Sequence, residues 1–226
     1  MPGVMCARTG RMSHLCAMIV DVDNYLIGFD VETDTTINGL DPGVAEITSI
    51  AVWSPDVQTV FDQGDERGRI AGFLELLDEL PPGIACSWNG CCFDGPFIES
   101  RARLVGLETG FDIVLDHRIV PKYSFLPGWD AAARLRLRGH RHADVAYAYR
   151  DYALSTPALG EKRWGLKYVA ESLGIEMIRI DASQMHRYSA ETRHEYNLSD
   201  SRGTYLLGAA LGDGIEPWVD RLLPAA

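Results

Sequence analysis

The stretch Tyr25 to Thr33, Y-L-I-G-F-D-V-E-T, constrains this chain more than any other. A short apolar run, Leu26, Ile27 and Phe29, leads into two carboxylates spaced i and i+2, Asp30 and Glu32. Side chains i and i+2 of a β-strand point to the same side. A buried strand therefore delivers both carboxylates to one spot near its carboxyl end. Two ionised groups held that close repel each other, and burial adds a desolvation cost. A hard divalent cation, which takes carboxylate oxygens, offsets both. Taken alone, the stretch is equally a strand that ends in solvated acidic residues.

A chain of 226 residues is long enough for one sizeable core, and one domain is the expectation. Apolar residues make up 46% and charged residues 23%, the balance of a soluble globular protein. No run is long enough to span a bilayer. Leu15 to Val20 is apolar and follows Arg8 and Arg11, but its shortness and the lack of a small-residue cleavage site argue against a signal peptide. Residues 1–24 carry no clear period and read as an extension. The five cysteines (Cys6, Cys16, Cys86, Cys91, Cys92) are odd in number and form no C-x-x-C pair. They fit a reducing, cytoplasmic compartment and buried apolar roles rather than a soft-metal site. A net charge of −11, from 21 basic and 32 acidic residues, argues against a protein that coats nucleic acid non-specifically. It leaves room for an enzyme that grips a short piece through metal ions and a local basic patch.

Along the chain, Asp34 to Gly43 is a polar, turn-rich loop. Glu46 to Trp53 and Val57 to Phe61 read as strands, giving an antiparallel meander that starts with the acidic strand. Arg69 to Leu80 has Ile70, Phe73, Leu74 and Leu77 at helical spacing, and Pro81-Pro82-Gly83 stops it. Ile84 to Trp88 is a fourth strand. Phe93 to Val105 is a helix with Pro96 in its first turn and Gly106 at its end. The segment from Phe111 to Asp151 is harder to place. Its run A-R-L-R-L-R-G-H-R-H alternates Arg with Leu, as a strand or edge with one charged face would. Arg134, Arg136 and Arg138 in that run are either a solvated face or contacts to phosphates, for which arginine is well suited. Trp164 to Leu173 reads as a helix closed by Gly174, and Ala190 to Leu211 as a long helix closed by Gly212. A short tail helix is expected after Pro217.

Two more acidic positions matter. Asp94 falls in the first turn of its helix, in W-N-G-C-C-F-D-G-P-F-I-E-S-R-A. Asp200 falls in the long helix, in Y-N-L-S-D, with Tyr196 on the same face at i, i+4. Read singly, Asp94 is also an ordinary first-turn carboxylate facing the helix dipole, and Tyr196 a core aromatic. His117, His186 and His194 have no evident partner and are expected at the surface or in hydrogen bonds.

F-D-V-E-T (Phe29 to Thr33), W-N-G-C-C-F-D-G-P-F-I-E-S-R-A (Trp88 to Ala102) and Y-N-L-S-D (Tyr196 to Asp200) together resemble the three motifs of the DEDD exonuclease superfamily, in the same order. Tyrosine four residues before the last aspartate matches the DEDDy branch. The histidine branch has its histidine five residues before, where this chain has Glu195. The wording of the motifs is most similar to the proofreading exonuclease domain of family B DNA polymerases. W-G-L-K-Y-V-A-E-S-L-G-I (Trp164 to Ile175) and H-A-D-V (His142 to Val145) also resemble segments of that domain, and the likeness runs from about residue 25 to 211.

The resemblance implies an α/β, ribonuclease H-like fold with a five-stranded mixed sheet flanked by helices. The expected layout is an extension (1–24), an exonuclease domain (25–214) and a tail (215–226). Asp30, Glu32, Asp94 and Asp200 would bind two divalent ions, Mg²⁺ or Mn²⁺, with Tyr196 as the fifth catalytic residue. The expected activity is stand-alone 3′→5′ hydrolysis of single-stranded DNA to nucleoside 5′-monophosphates. Thr33, Asn89, Phe93, Arg134, Arg136 and Arg138 are the expected nucleic-acid contacts; Asn89 and Phe93 also fit as a turn residue and a packing residue. Two other readings stand beside this one, an RNA exonuclease of the ribonuclease D type and a binding module that has lost catalysis.

Overall fold

The computed structural model describes residues 25–119, 121, 126–162 and 164–219. The expected extension 1–24, with Leu15 to Val20, Cys6 and Cys16, lies outside the described residues, as does 220–226 of the expected tail.

Three strands open the fold: β1 (Tyr25–Thr33), β2 (Ile47–Trp53) and β3 (Gln58–Phe61), paired antiparallel in sequence as the expected meander. Helix α1 (Glu66–Glu79) follows, then β4 (Gly83–Ser87) and α2 (Asp94–Leu104). Strands β5 (Phe111–Asp116), β6 (Ala132–Leu137) and β7 (His140–Asp144) come next. Short helices α3 (Val145–Ala148), α4 (Arg150–Ser155) and α5 (Leu166–Ser172) lead to the long α6 (Ala190–Leu211). A 3₁₀ turn, Gly212–Trp218, follows α6, and most of the stretch after Pro217, where a tail helix is expected, lies outside the described residues.

The sheet is mixed, in the order β3-β2-β1-β4-β7-β6-β5, with β1 parallel to β4 and β4 parallel to β7. It has seven strands rather than the expected five. The additional pair comes from the segment that is hardest to place by pattern, where β5 and β6 form an antiparallel extension of one edge. The Arg/Leu alternation is strand β6, as its period implies.

Period-2 alternation in β1 sorts its side chains to two cores. Ile27, Phe29 and Val31 pack with Ile70, Phe73, Leu74 and Leu77 of α1 and Phe97 and Ile98 of α2. Leu26 faces the other way, into the cluster built with α5 and α6. Asp30 and Glu32 share the parity of Leu26 and so lie on the α6 face. Helix α6 comes very close to β1 at Gly28, where a Cβ would overlap the Ser201 carbonyl oxygen and lie 2.6 Å from the Tyr205 nitrogen. That approach sets Asp200, the neighbour of Ser201, against the carboxylates of β1. Among the described residues no helix is long and apolar enough to cross a membrane.

Helix α1 starts at Glu66, three residues before the expected start at Arg69. Asp65 caps it by accepting from Gly68 N at 2.8 Å. Buried Glu66 accepts from Ile47 N at 2.7 Å and from Arg101. Arg101 in turn donates to the Pro42 carbonyl at 3.0 Å. This buried ion pair ties the loop after β1 to both helices of its face.

Candidate active site

Each acidic residue reaches the site for a local reason. Asp30 and Glu32 come from the α6-facing side of β1, and Asp200 comes from α6. Ligand oxygens of these three residues lie within 4.8 Å of one another. Asp94 enters from the end of β4. Strand β4 pairs with β1 only as far as Gly28↔Cys86, so β1 runs on without a neighbour on that side. Asp94 Oδ1 fills the gap by accepting from Val31 N at 3.1 Å. A carboxylate at the first turn of α2 is thus fixed to the backbone between Asp30 and Glu32. Asp94, Asp200 and Tyr196 are buried, and Asp30 and Glu32 are half-buried.

Burial and mutual repulsion keep these groups from ionising easily. Burial, then Asp200, Glu32 and Asp94, push the Asp30 carboxyl well above its usual range. Burial and Asp200 push Glu32 up to about 8. Burial raises Asp94 to about 7 against the hydrogen bonds it accepts. Asp200 is raised by burial and held back by Lys167 and by a hydrogen bond with Tyr196. Burial and the neighbouring carboxylates drive the Tyr196 phenol far above its ordinary 10, so it stays neutral.

Lys167 is the functional candidate that sequence reasoning missed. Its ammonium pairs with Asp200 Oδ1 and lies 3.9 Å from the centre of the Tyr196 ring. It comes from α5, whose buried side is Leu166, Val169 and Ala170. Nothing in that period singles out the lysine. Its only signal was the likeness of W-G-L-K-Y-V-A to the family segment.

The expected substrate contacts divide into two sets. Thr33, Asn89 and Phe93 lie beside the acidic residues in the chain. Thr33 Oγ1 donates to the Gly39 carbonyl at 2.7 Å and so braces the loop after β1. Asn89 takes a left-handed conformation (φ 72°), and its Oδ1 is buried without a hydrogen-bond partner. The Phe93 ring packs on Phe97, with centroids 5.1 Å apart. Arg134, Arg136 and Arg138 instead belong to β6 and its turn, separated from β1 by β4 and β7. Arg134 is buried in an ion pair with Asp116, and Arg138 pairs with Asp78.

Asp144, on β7, supports the turn before Asp94. Its carboxylate accepts from Asn89 N at 2.9 Å, Cys91 N at 3.1 Å and Ala146 N at 3.2 Å. Cys86, Cys91 and Cys92 are buried free thiols. His186 hydrogen-bonds Thr35 at 3.0 Å and His194 hydrogen-bonds Asp62 at 2.8 Å, in keeping with the roles expected of them.

The sheet order, the crossing helix and the acidic cluster define an RNase H-like domain. A family model of the RNase_H superfamily matches residues 27–205, and the chain belongs to that superfamily. DNA polymerases are among the relatives it matches. The chain is 31% identical to the catalytic subunit of DNA polymerase epsilon from Saccharomyces cerevisiae, over 68% of this chain and 6% of that protein. It is 27% identical to a DNA polymerase of Archaeoglobus fulgidus, over 82% of this chain and 22% of that protein. Among solved structures, it is similar to the family B DNA polymerase from the hyperthermophilic archaeon Pyrobaculum calidifontis. The TM-score is 0.63 at 24% identity, covering 82% of this chain and 24% of that one. The family likeness read from the three motifs is thereby borne out. The chain spans less than a quarter of the length of each of these relatives.

Proposed function

We propose that this domain is a metal-dependent 3′→5′ exonuclease that trims single-stranded DNA to nucleoside 5′-monophosphates. The observation that carries the proposal is the convergence of Asp30, Glu32 and Asp200 within 4.8 Å, with Asp94 bound to the backbone between the first two. The donor set is all carboxylate, which suits Mg²⁺ or Mn²⁺. Carboxylates whose burial and repulsion oppose ionisation fit a centre completed by cations. Asp30, Glu32, Asp94 and Asp200 would hold two such ions, which when bound would supply Lewis-acid charge stabilisation at the phosphoryl group and a more acidic water.

The chain's own groups do the rest. Tyr196 keeps its proton and orients the attacking water through its hydroxyl. Lys167 balances the charge of Asp200 and bears on the Tyr196 ring. Glu32 would meet the terminal 3′-hydroxyl. Thr33, Asn89 and Phe93 border the strand end, and the unpartnered Asn89 Oδ1 supports a polar contact there. Water adds to the phosphorus, the 3′-oxygen of the preceding nucleotide leaves, and the shortened strand ends in a new 3′-hydroxyl. We place this activity in the cytoplasm, a reading supported by the free buried thiols.

The test is metal-dependent shortening of an end-labelled strand by the wild type against Asp30→Ala, with a matched RNA to read sugar preference. A folded protein inert in Mg²⁺ and Mn²⁺ would return the domain to the class of binding modules.

A further inference from the structure

Helix α6 is held to the sheet along one stripe of residues. His194 hydrogen-bonds Asp62, just past β3, at 2.8 Å. Asn197 donates to Ser49 Oγ of β2 at 2.7 Å, and the backbone of Ser201 crosses β1 at Gly28. The spacing i, i+3, i+7 is that of one helical face. Arg193, Tyr196 and Asp200 each stand one residue earlier and so form the adjacent stripe. Two of these three belong to the acidic site: ligand oxygens of Asp200, Asp30 and Glu32 lie within 4.8 Å of one another, and Tyr196 hydrogen-bonds Asp200. Arg193 carries the stripe onward, about 4.5 Å along the axis from Tyr196.

The Arg193 guanidinium is half-buried, and its Nη1 donates to the Tyr188 carbonyl at 3.1 Å. Two residues before Tyr188, His186 hydrogen-bonds Thr35 at 3.0 Å, in the loop that follows Glu32. The guanidinium is thus tied to the segment that reaches the loop just past the acidic strand. An arginine carries five N–H donors in a planar fork, and among the described residues no carboxylate meets those that Tyr188 leaves. A cation in the first turn of a helix opposes the helix dipole, so helix stability gives no reason for it. Arg134 and Arg138, which sequence pattern alone recommends for phosphate, are instead paired with Asp116 and Asp78, beyond β4 and β7.

Resting on the exonuclease reading above, we propose that Arg193 binds the second phosphate of the substrate strand, the one next to the scissile phosphate on the retained side. The planar fork suits two phosphate oxygens at once. The ligand class is then a single strand with at least two phosphodiesters. A dinucleotide without a 5′-phosphate offers only the scissile one, and a trinucleotide offers both.

The test compares kcat and KM for release of the 3′-terminal nucleotide from these two lengths, both without 5′-phosphate. Their affinities in Ca²⁺ are measured alongside. Wild type is expected to favour the trinucleotide about tenfold, the scale of a hydrogen bond to a charged group. Arg193→Gln is expected to lose that preference through KM, with kcat and the dinucleotide within about twofold of wild type. Arg202→Gln, altering an exposed arginine on the opposite side of α6, is expected to change neither length. Wild type given a trinucleotide whose 5′ linkage is a neutral methylphosphonate should treat it as a dinucleotide, a result that needs no variant to fold. A loss in Arg193→Gln that is equal for both lengths would mark a purely structural role and overturn the proposal, as would a trinucleotide preference that survives the substitution. If neither length is cut in Mg²⁺ or Mn²⁺, the exonuclease reading fails, and the Ca²⁺ affinities decide the Arg193 claim by themselves. Equal binding of the two lengths by wild type, or binding of neither, would then overturn it.

Discussion

Lys167 pairs with Asp200 while its ammonium rests 3.9 Å from the centre of the Tyr196 ring. One cation thereby joins two residues that stand one helical turn apart on α6. It sits against a cluster in which Asp30, Glu32 and Asp94 all push against Asp200 or one another. Removing it leaves a buried carboxylate without its partner, a change that costs about 3–5 kcal/mol where the charge has no other relief. For Lys167→Met we expect a loss at the lower end of that range in metal-free protein at pH 8. The loss shrinks toward pH 5, where protonation relieves the cluster, and on addition of Mg²⁺. Thermal unfolding at the two pH values, with and without Mg²⁺, checks it.

Metal-free protein is expected to lose stability as pH rises. Burial lifts Glu32 from 4.5 to about 8 and Asp94 from 3.8 to about 7. Between about pH 4 and 8 the folded protein therefore holds more protons than the unfolded chain, and the unfolding free energy falls with pH. The stability contributed by the protonated acids is present below that window and lost above it. Mg²⁺ should flatten the upper end of the curve. Denaturant titrations from pH 5 to 9 in EDTA and in Mg²⁺ decide the matter, and a rise in metal-free stability over that range would contradict it.

Gly28 is the point where α6 closes on the acidic strand. A Cβ there would overlap the Ser201 carbonyl oxygen, and the obstacle is backbone, which cannot rotate away. Gly28→Ala is expected to cost more than about 2 kcal/mol, within the range for overpacking. Activity should fall further than stability, because α6 carries Tyr196 and Asp200. Activity measured well below the unfolding temperature separates the two effects.

Tyr196→Phe keeps the ring under Lys167 and removes only the hydroxyl. A drop in kcat of about 10²-fold or more is expected if that hydroxyl orients the attacking water. The midpoint for Mg²⁺ should stay within a few-fold of wild type. A change confined to the Mg²⁺ midpoint would assign the tyrosine to ion binding instead.

The parts of this molecule that follow a short-range period were legible in its sequence. Strand β1, with Asp30 and Glu32 on one face, and helix α6, with Tyr196 and Asp200 one turn apart, follow from spacings of two and four residues. What depends on long-range partners was hidden. The Arg/Leu alternation gives a strand, but only the paired strand β5 reveals that Asp116 answers Arg134. The expected fifth strand became a group of three for the same reason, since the pairing of β5 with β6 leaves no local pattern beyond weak alternation. Lys167 lies 33 residues before Asp200 and meets it only when α5 packs beside α6. Val31 N, which anchors Asp94, is a backbone group that any sequence would carry.

The most direct test of the account is digestion of a 5′-labelled single-stranded DNA oligonucleotide, with matched RNA alongside, in Mg²⁺, Mn²⁺ or EDTA. The wild type is compared with Asp30→Ala. The account predicts a ladder that shortens from the 3′ end, needs the metal and vanishes in Asp30→Ala. The same uncut band in every lane, from protein shown to be folded, would contradict it.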